Sequence, residues 1–231
     1  MAIILNIETS SEFCSIALAR DGRTEYFEKD SKIMNHAVAL APMVKKCLDD
    51  LKNEGERLDA VSVSLGPGSY TGLRIGLSLA KGLAYSLSIP LIGISTLKIL
   101  AVKAMFEYVD WEGVEKIIPM IDARRMEVYT ACYNARLDEI INETSMILDD
   151  KSFEMLAKED KVIFIGNGSE KFKPYCKIEN AIWMGNNMAE ASDMSLLSER
   201  AFLNNDFIDI AYSVPNYLKE YRTTQPKNKC F

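Results

Sequence analysis

Histidine is nearly absent: His36 is the single one in a chain of 231 residues. A lone imidazole cannot supply the paired ligands of an H-E-x-x-H zinc site, and no dense run of Asp, Glu and His takes its place. No metal site built by this chain alone is expected. A Ser-His-Asp triad would have to pass through the same His36, but there is no G-x-S-x-G elbow to present the serine. Placed after Asn35, a capping residue type, His36 reads as the start of a helix.

Cysteine is scarce and unpatterned: the five residues, at 14, 47, 132, 176 and 230, are odd in number and include no C-x-x-C. That suits buried or free thiols in a reducing compartment, and argues against a disulfide frame or a zinc ribbon. Positive charge is short as well, with 27 Lys and Arg against 33 Asp and Glu and a net charge of -6. An acidic balance opposes broad contact with phosphates, so any RNA contact is local or delegated. Apolar runs fall far short of a membrane span, and Met1-Ala-Ile-Ile-Leu-Asn lacks the basic start of a signal peptide. A cytoplasmic protein is expected. What remains is 48% hydrophobic and 26% charged, enough apolar material for one or two compact domains.

The most informative stretch runs from Ala60 to Leu87. Val61-Ser-Val-Ser-Leu, then Gly66-Pro-Gly68-Ser69-Tyr70-Thr71-Gly72, then a run of helical spacing, make a strand, a tight loop and a helix. Glycines at such an elbow suggest an anion site at a helix N-terminus. The spacing argues otherwise: no Lys and hydroxyl follow Gly72 as a P-loop requires, and Gly66-x-Gly68-x-x-x-Gly72 is one residue too long for G-x-G-x-x-G. A loop shaped for close packing, or for a site shared across an interface, fits better. On the helix, Arg74, Ser78, Lys81, Tyr85 and Ser88 share one face, while Gly72, Gly76, Ala80 and Ala84 form a ridge of small residues. That ridge suits either the chain's own sheet and helices or a second subunit.

In chain order, residues 2–8 read as a buried strand, Thr9-Ser10-Ser11 as a polar turn, and 13–20 as a second strand. Asp21-Gly22 is a preferred hairpin turn into a third strand at 23–29. A helix follows from Asn35 to Lys52, interrupted by Pro42, with Met43 and Cys47 beside its main apolar stripe. Ile89-Pro90 ends the elbow helix, 91–94 is a strand, and Ser95 or Thr96 caps a helix running to about Tyr108. Strands at 117–121, 126–133 and 140–147, a helix at 151–158, a strand at 161–165, a second elbow at Gly166-Asn167-Gly168-Ser169, a strand at 181–184 and a helix at 188–203 repeat the plan. The expectation is α/β: two ribonuclease-H-like lobes of the actin and sugar-kinase type, each a mixed sheet with flanking helices in βββαβα order. The boundary is placed in the charged stretch 110–116, giving lobes 1–112 and 113–231. Glu8 and Asp122 are the acids at the two strand ends where phosphate chemistry sits in such folds; a hydrogen-bonded strand end also accounts for Glu8 and Thr9. Asp122 with Arg124 reads as an ion pair or a partner contact. From Tyr217 the tail is locally basic, with Lys219, Arg222, Lys227 and Lys229 interleaved with Tyr221.

Gly66-Pro-Gly-Ser-Tyr-Thr-Gly-Leu-Arg-Ile-Gly76, Lys81-Gly-Leu-Ala84, Ile92-Gly-Ile-Ser-Thr-Leu97, Ile7-Glu8-Thr9-Ser10, 121–129 and Pro215-Asn216-Tyr217-Leu218-Lys219 together resemble the TsaB family, over nearly the whole chain. The resemblance implies a non-catalytic subunit of bacterial tRNA threonylcarbamoyladenosine synthesis that binds and activates a TsaD-type enzyme. It implies that helices 35–52 and 72–88 pair with that partner, or with a second copy in its absence, through Ala39, Met43, Cys47, Gly72, Arg74, Gly76, Ser78 and Tyr85. It implies no cofactor bound by this chain alone, with ATP or ADP at a subunit interface formed with a TsaE-type ATPase around Gly66, Gly68, Ser69 and Thr71. Contact with tRNA would be indirect or through the basic tail. A metal-independent peptidase and an ATP-binding enzyme of actin-like fold are the competing readings.

Overall fold

A computed structural model describes residues 2–154, 156 and 161–219. The chain builds two five-stranded mixed sheets flanked by helices, an α/β arrangement of two lobes. The first has β1 (Ile3–Glu8), β2 (Ser15–Arg20), β3 (Arg23–Lys29), β4 (Ala60–Gly66) and β5 (Leu91–Ser95) in the order β3-β2-β1-β4-β5. The second has β6 (Val114–Asp122), β7 (Glu127–Tyr133), β8 (Glu139–Ile147), β9 (Lys161–Gly166) and β10 (Ala181–Gly185) in the order β10-β9-β6-β7-β8, the same topology once more. The β2–β3 hairpin turns through Asp21 and Gly22, both at positive φ, as a two-residue turn of matching twist demands.

β1 is buried along its whole length because both sheet faces are covered. Ile3, Leu5 and Ile7 enter one core with α1 (His36–Asn53) and α2 (Tyr70–Leu87). Ala2 and Ile4 enter another, with α3 (Thr96–Glu107). This helix is buried on nearly all sides because it lies between the sheets: Leu97, Leu100 and Ala101 share a cluster with Ile92 and Ile94 of the first sheet and Ile117, Ala131 and Ile163 of the second. Its one buried cation, Lys103, is paired with Asp193 at 3.2 Å, Glu190 at 3.4 Å and Glu107 at 3.6 Å. The second sheet packs its outer face on an aromatic group in which Phe164 stacks on Trp183 at 4.7 Å and Phe172 meets Phe153 at 5.3 Å.

The helix expected over 188–203 begins later, as a 3₁₀ turn over Ala191–Met194 followed by α5 (Ser195–Leu203). Glu190 and Asp193 cap that turn reciprocally, holding the entry extended. The second elbow leads into a single helical turn, α4 (Ser169–Phe172). Expected within the lobe 113–231, α5 packs on β1, β3 and β5 of the first sheet. Asn6, on the face of β1 away from α1 and α2, needs a polar partner there. The Ser198 hydroxyl supplies it, donating to Asn6 Oδ1 at 2.5 Å and lying 2.8 Å from Ser62 Oγ. Of the helix expected at 151–158, residues 151–154 form turns, and residues 155 and 157–158 lie outside the described set.

Candidate functional site

The elbow after β4 is shaped by its own chain. Gly66 has φ +102°, a region closed to most side chains, and leads into a cis peptide at Pro67. Ser69 caps α2: its hydroxyl accepts from Gly72 N at 3.2 Å, while its own N–H donates to Ser10 O at 2.6 Å. A Cβ on Gly68 would overlap Ser10, one on Gly72 the carbonyl oxygen of Thr9, and one on Gly76 the Thr9 side chain. The glycines thus seat the start of α2 on the turn after β1. The amides of Ser69 and Gly72 are already bonded within the chain, and Thr71 is exposed. Replacing Ser69 by Ala should lower stability by about 1 kcal/mol through loss of the cap, read as an earlier urea midpoint.

The two acids have different surroundings. Glu8 is 1% exposed and its carboxylate accepts from Ser10 N at 2.5 Å, while Oε2 finds no partner among the described residues. Burial raises its pKa to about 7, against the lowering effect of bonds to Ser10 and Ser64. Asp122 is exposed and pairs with Lys171 at 2.5 Å, and it accepts from the backbone N of Arg124 at 2.5 Å. The ion pair expected with Arg124 is therefore made with Lys171 instead. Between the sheets, Ser10, Ser11, Thr96, Asn167 and Asn187 line a cavity of about 40 Å³, the space of a water or two. No group of three His, Cys, Asp or Glu able to hold a metal occurs among the described residues. His36 is buried at the first turn of α1, but Asn35 does not cap it, its amide donating to Asp30 at 2.7 Å. Cys14, Cys47 and Cys132 are buried, and burial pushes each thiol up to about 11, which leaves them poor nucleophiles at neutral pH.

The helix residues expected at an interface divide into two sets. Met43, Cys47, Gly72 and Gly76 are buried within the chain, the first two in the core under β1 and the glycines against Thr9. They are packing residues, because the apolar stripe of α1 and the small ridge of α2 both turn inward. Ala39 is half-buried on that core. Arg74, Ser78 and Tyr85 are exposed. Missing from the expectation were Ile33, Met34 and Val38, at 64%, 64% and 70% exposure the most open apolar residues leading into α1. Val38 was legible from the phase: with Leu40, Met43, Val44, Cys47 and Leu51 inside, Val38 and Pro42 must point outward. Of the basic tail, Lys219 pairs with Glu127, and residues 220–231 lie outside the described set.

A family model described as "TsaD: tRNA N6-adenosine threonylcarbamoyltransferase" matches residues 31–229. The chain is 36% identical over 225 residues to the tRNA threonylcarbamoyladenosine biosynthesis protein TsaB of Bacillus subtilis (strain 168), covering 94% of this chain and 93% of that protein. It is 29% identical to the protein of the same description from Escherichia coli (strain K12), over 94% of each. The crystal structure of YeaZ from Pseudomonas aeruginosa superposes with a TM-score of 0.77 at 29% identity, covering 94% of this chain and all of that one. Identity of 36% over 94% of the chain and a matching two-lobed fold make this chain a member of the TsaB family.

Proposed function

We propose that the chain is a non-catalytic, cytoplasmic subunit in tRNA threonylcarbamoyladenosine biosynthesis, which binds a TsaD-type threonylcarbamoyltransferase and sets its active geometry. The observation that carries the reading is the outward side of α1 and α2. Ile33, Met34 and Val38 are largely exposed, and Ile75, Leu79 and Leu83 are half-buried on α2. Apolar residues collected on one helical layer mark a surface that another protein covers. The relatives' names supply the pathway, and the chemistry of the chain supports a partner's role: Glu8 is buried, Asp122 is paired and the thiols are raised. The transferase would contribute the nucleotide and metal chemistry, a TsaE-type ATPase would join the pair, and the same helical layer would pair two copies when the transferase is absent.

Val38→Glu tests this. At 70% exposure the site tolerates a charge in the free chain, so the melting temperature should stay within a degree or so. Desolvating an unpaired carboxylate at the interface should weaken binding to the TsaD-type transferase of the same organism by tenfold or more, measured by titration calorimetry. Wild-type affinity in the variant would remove α1 from the interface.

A further inference from the structure

The opposite flank of α2 carries a second feature. After α5 the chain crosses back as a strap: Ile208 N donates to Leu91 O at 2.8 Å, Asp209 accepts from Ala211 N and Tyr212 N at 2.7 and 2.8 Å, and Asn216 N donates to Leu65 O at 2.7 Å. Between this strap and α2 lies a groove of about 300 Å³ lined by Arg74, Leu77, Ser78, Lys81, Val214 and Tyr217, among others. Its floor is apolar and fixed at both ends. Its rim carries Arg74 and Lys81, seven residues and so two helical turns apart, a rise of about 10 Å along the axis of α2.

Both cations are held in place without a carboxylate. The Arg74 guanidinium lies 4.2 Å from the Tyr70 ring centroid and 5.9 Å from that of Tyr217, and Nε donates to the Tyr217 hydroxyl at 2.9 Å. That contact uses Nε and spares the two terminal nitrogens, a donor pair able to grip a carboxylate. Lys81 Nζ donates to Ala211 O at 3.1 Å, using one of three hydrogens. Among the described residues no acid pairs with either. Around them Tyr85, Tyr212 and Val214 are 79%, 85% and 69% exposed.

The geometry points to a docking groove for an acidic segment of a protein partner, with an Asp or Glu carboxylate held between Arg74 and Lys81 and an adjacent apolar side chain on Leu77, Val214 and Tyr217. A guanidinium already stacked and bonded loses little freedom on pairing, which favours a charge-assisted bidentate contact. Tyrosine and arginine around an apolar floor are the residue types that anchor protein interfaces. Nucleic acid fits less well, since two uncommitted cations on a chain of net charge -6 fall short of the several phosphate contacts such binding draws on. The groove lies on the other side of α2 from the face proposed above and is a second contact in the same complex, so it rests on that reading.

Arg74→Glu with Lys81→Glu tests it, using the full chain mixed with the TsaD-type and TsaE-type proteins of its organism. Carbodiimide treatment of the wild-type mixture should join Lys81 to an Asp or Glu of a partner, identified by peptide mass spectrometry. The double variant should bind at least tenfold more weakly and show a shallower salt dependence, while its circular dichroism spectrum stays that of the folded parent. A complex that forms at wild-type affinity in the double variant, with no cross-link at Lys81 in the wild-type mixture, overturns the groove while leaving the Val38 face standing. A variant that loses affinity only for tRNA also overturns it, and a wild-type chain that forms no complex overturns both proposals.

Discussion

Gly72→Ala should destabilise the protein by about 3 kcal/mol, a drop of roughly 10 °C in melting temperature for a chain of this size. The added methyl would enter the carbonyl oxygen of Thr9, and neither side can rotate away, because one is the first turn of α2 and the other the turn after β1, tied to it by the bond from Ser69 N to Ser10 O. Overpacking of that kind outweighs the gain of about 1 kcal/mol that Ala offers over Gly within a helix. Gly82 provides the control on the same helix. Its Cβ would meet nothing within 4 Å, so Gly82→Ala should leave stability level or raise it by up to about 1 kcal/mol. Differential scanning calorimetry of the pair decides the matter, and equal melting temperatures would mean that the turn after β1 yields. By the same geometry, a bulky residue at Gly76 probes the fold and not the assembly, since its Cβ would meet Thr9.

Glu8→Gln should change how stability depends on pH. The folded carboxyl titrates at about 7 against an ordinary 4.5, so between those values the folded chain holds a proton that the unfolded chain has released. Stability is therefore greatest below the unfolded pKa and falls as pH rises towards 7, in total by about 3 kcal/mol at 1.36 kcal/mol per unit. Glutamine cannot ionise. At pH 5 the two proteins should agree within about 1 kcal/mol, and at pH 8 the variant should be the more stable by about 2 kcal/mol. Part of the slope will persist, because burial also raises Glu143, which sits among Ser95, Tyr133 and Asn216, and Asp193, which pairs with Lys103. Urea unfolding at pH 5, 6.5 and 8 tests this, and a parent protein equally stable across that range would show that Glu8 ionises freely in its place.

Local features of the fold were legible. A continuous apolar run placed β1, the Asp-Gly turn gave the β2–β3 hairpin, and Ser95 caps the helix that follows it. What a sequence does not display is which of two acceptable stripes turns inward. On α2 the small ridge suited a neighbouring subunit as well as the chain itself, and the choice was made by Thr9, more than sixty residues earlier. Asp122 is similar: the nearby Arg124 suggested a pair, but its side-chain partner is Lys171, brought close by the parallel pairing of β6 with β9. Helical phase put Arg74, Ser78 and Tyr85 on one face of α2, and all three are exposed. The strap that turns Arg74 and Lys81 into one groove was not, because its hydrogen bonds to Leu65 and Leu91 join parts of the chain more than a hundred residues apart.

The seating of α5 on the first sheet has a consequence during synthesis. When β5 has left the ribosome, the first sheet has all five strands, yet Ala2, Ile4 and Ile92 still lack part of their cover and Asn6 and Ser62 lack the Ser198 hydroxyl. The residues that complete it emerge about a hundred positions later, a delay of roughly 5 to 20 s at ordinary elongation rates. The nascent first lobe waits through that interval with one face unfinished, so the synthesis of α5 governs when the first sheet closes.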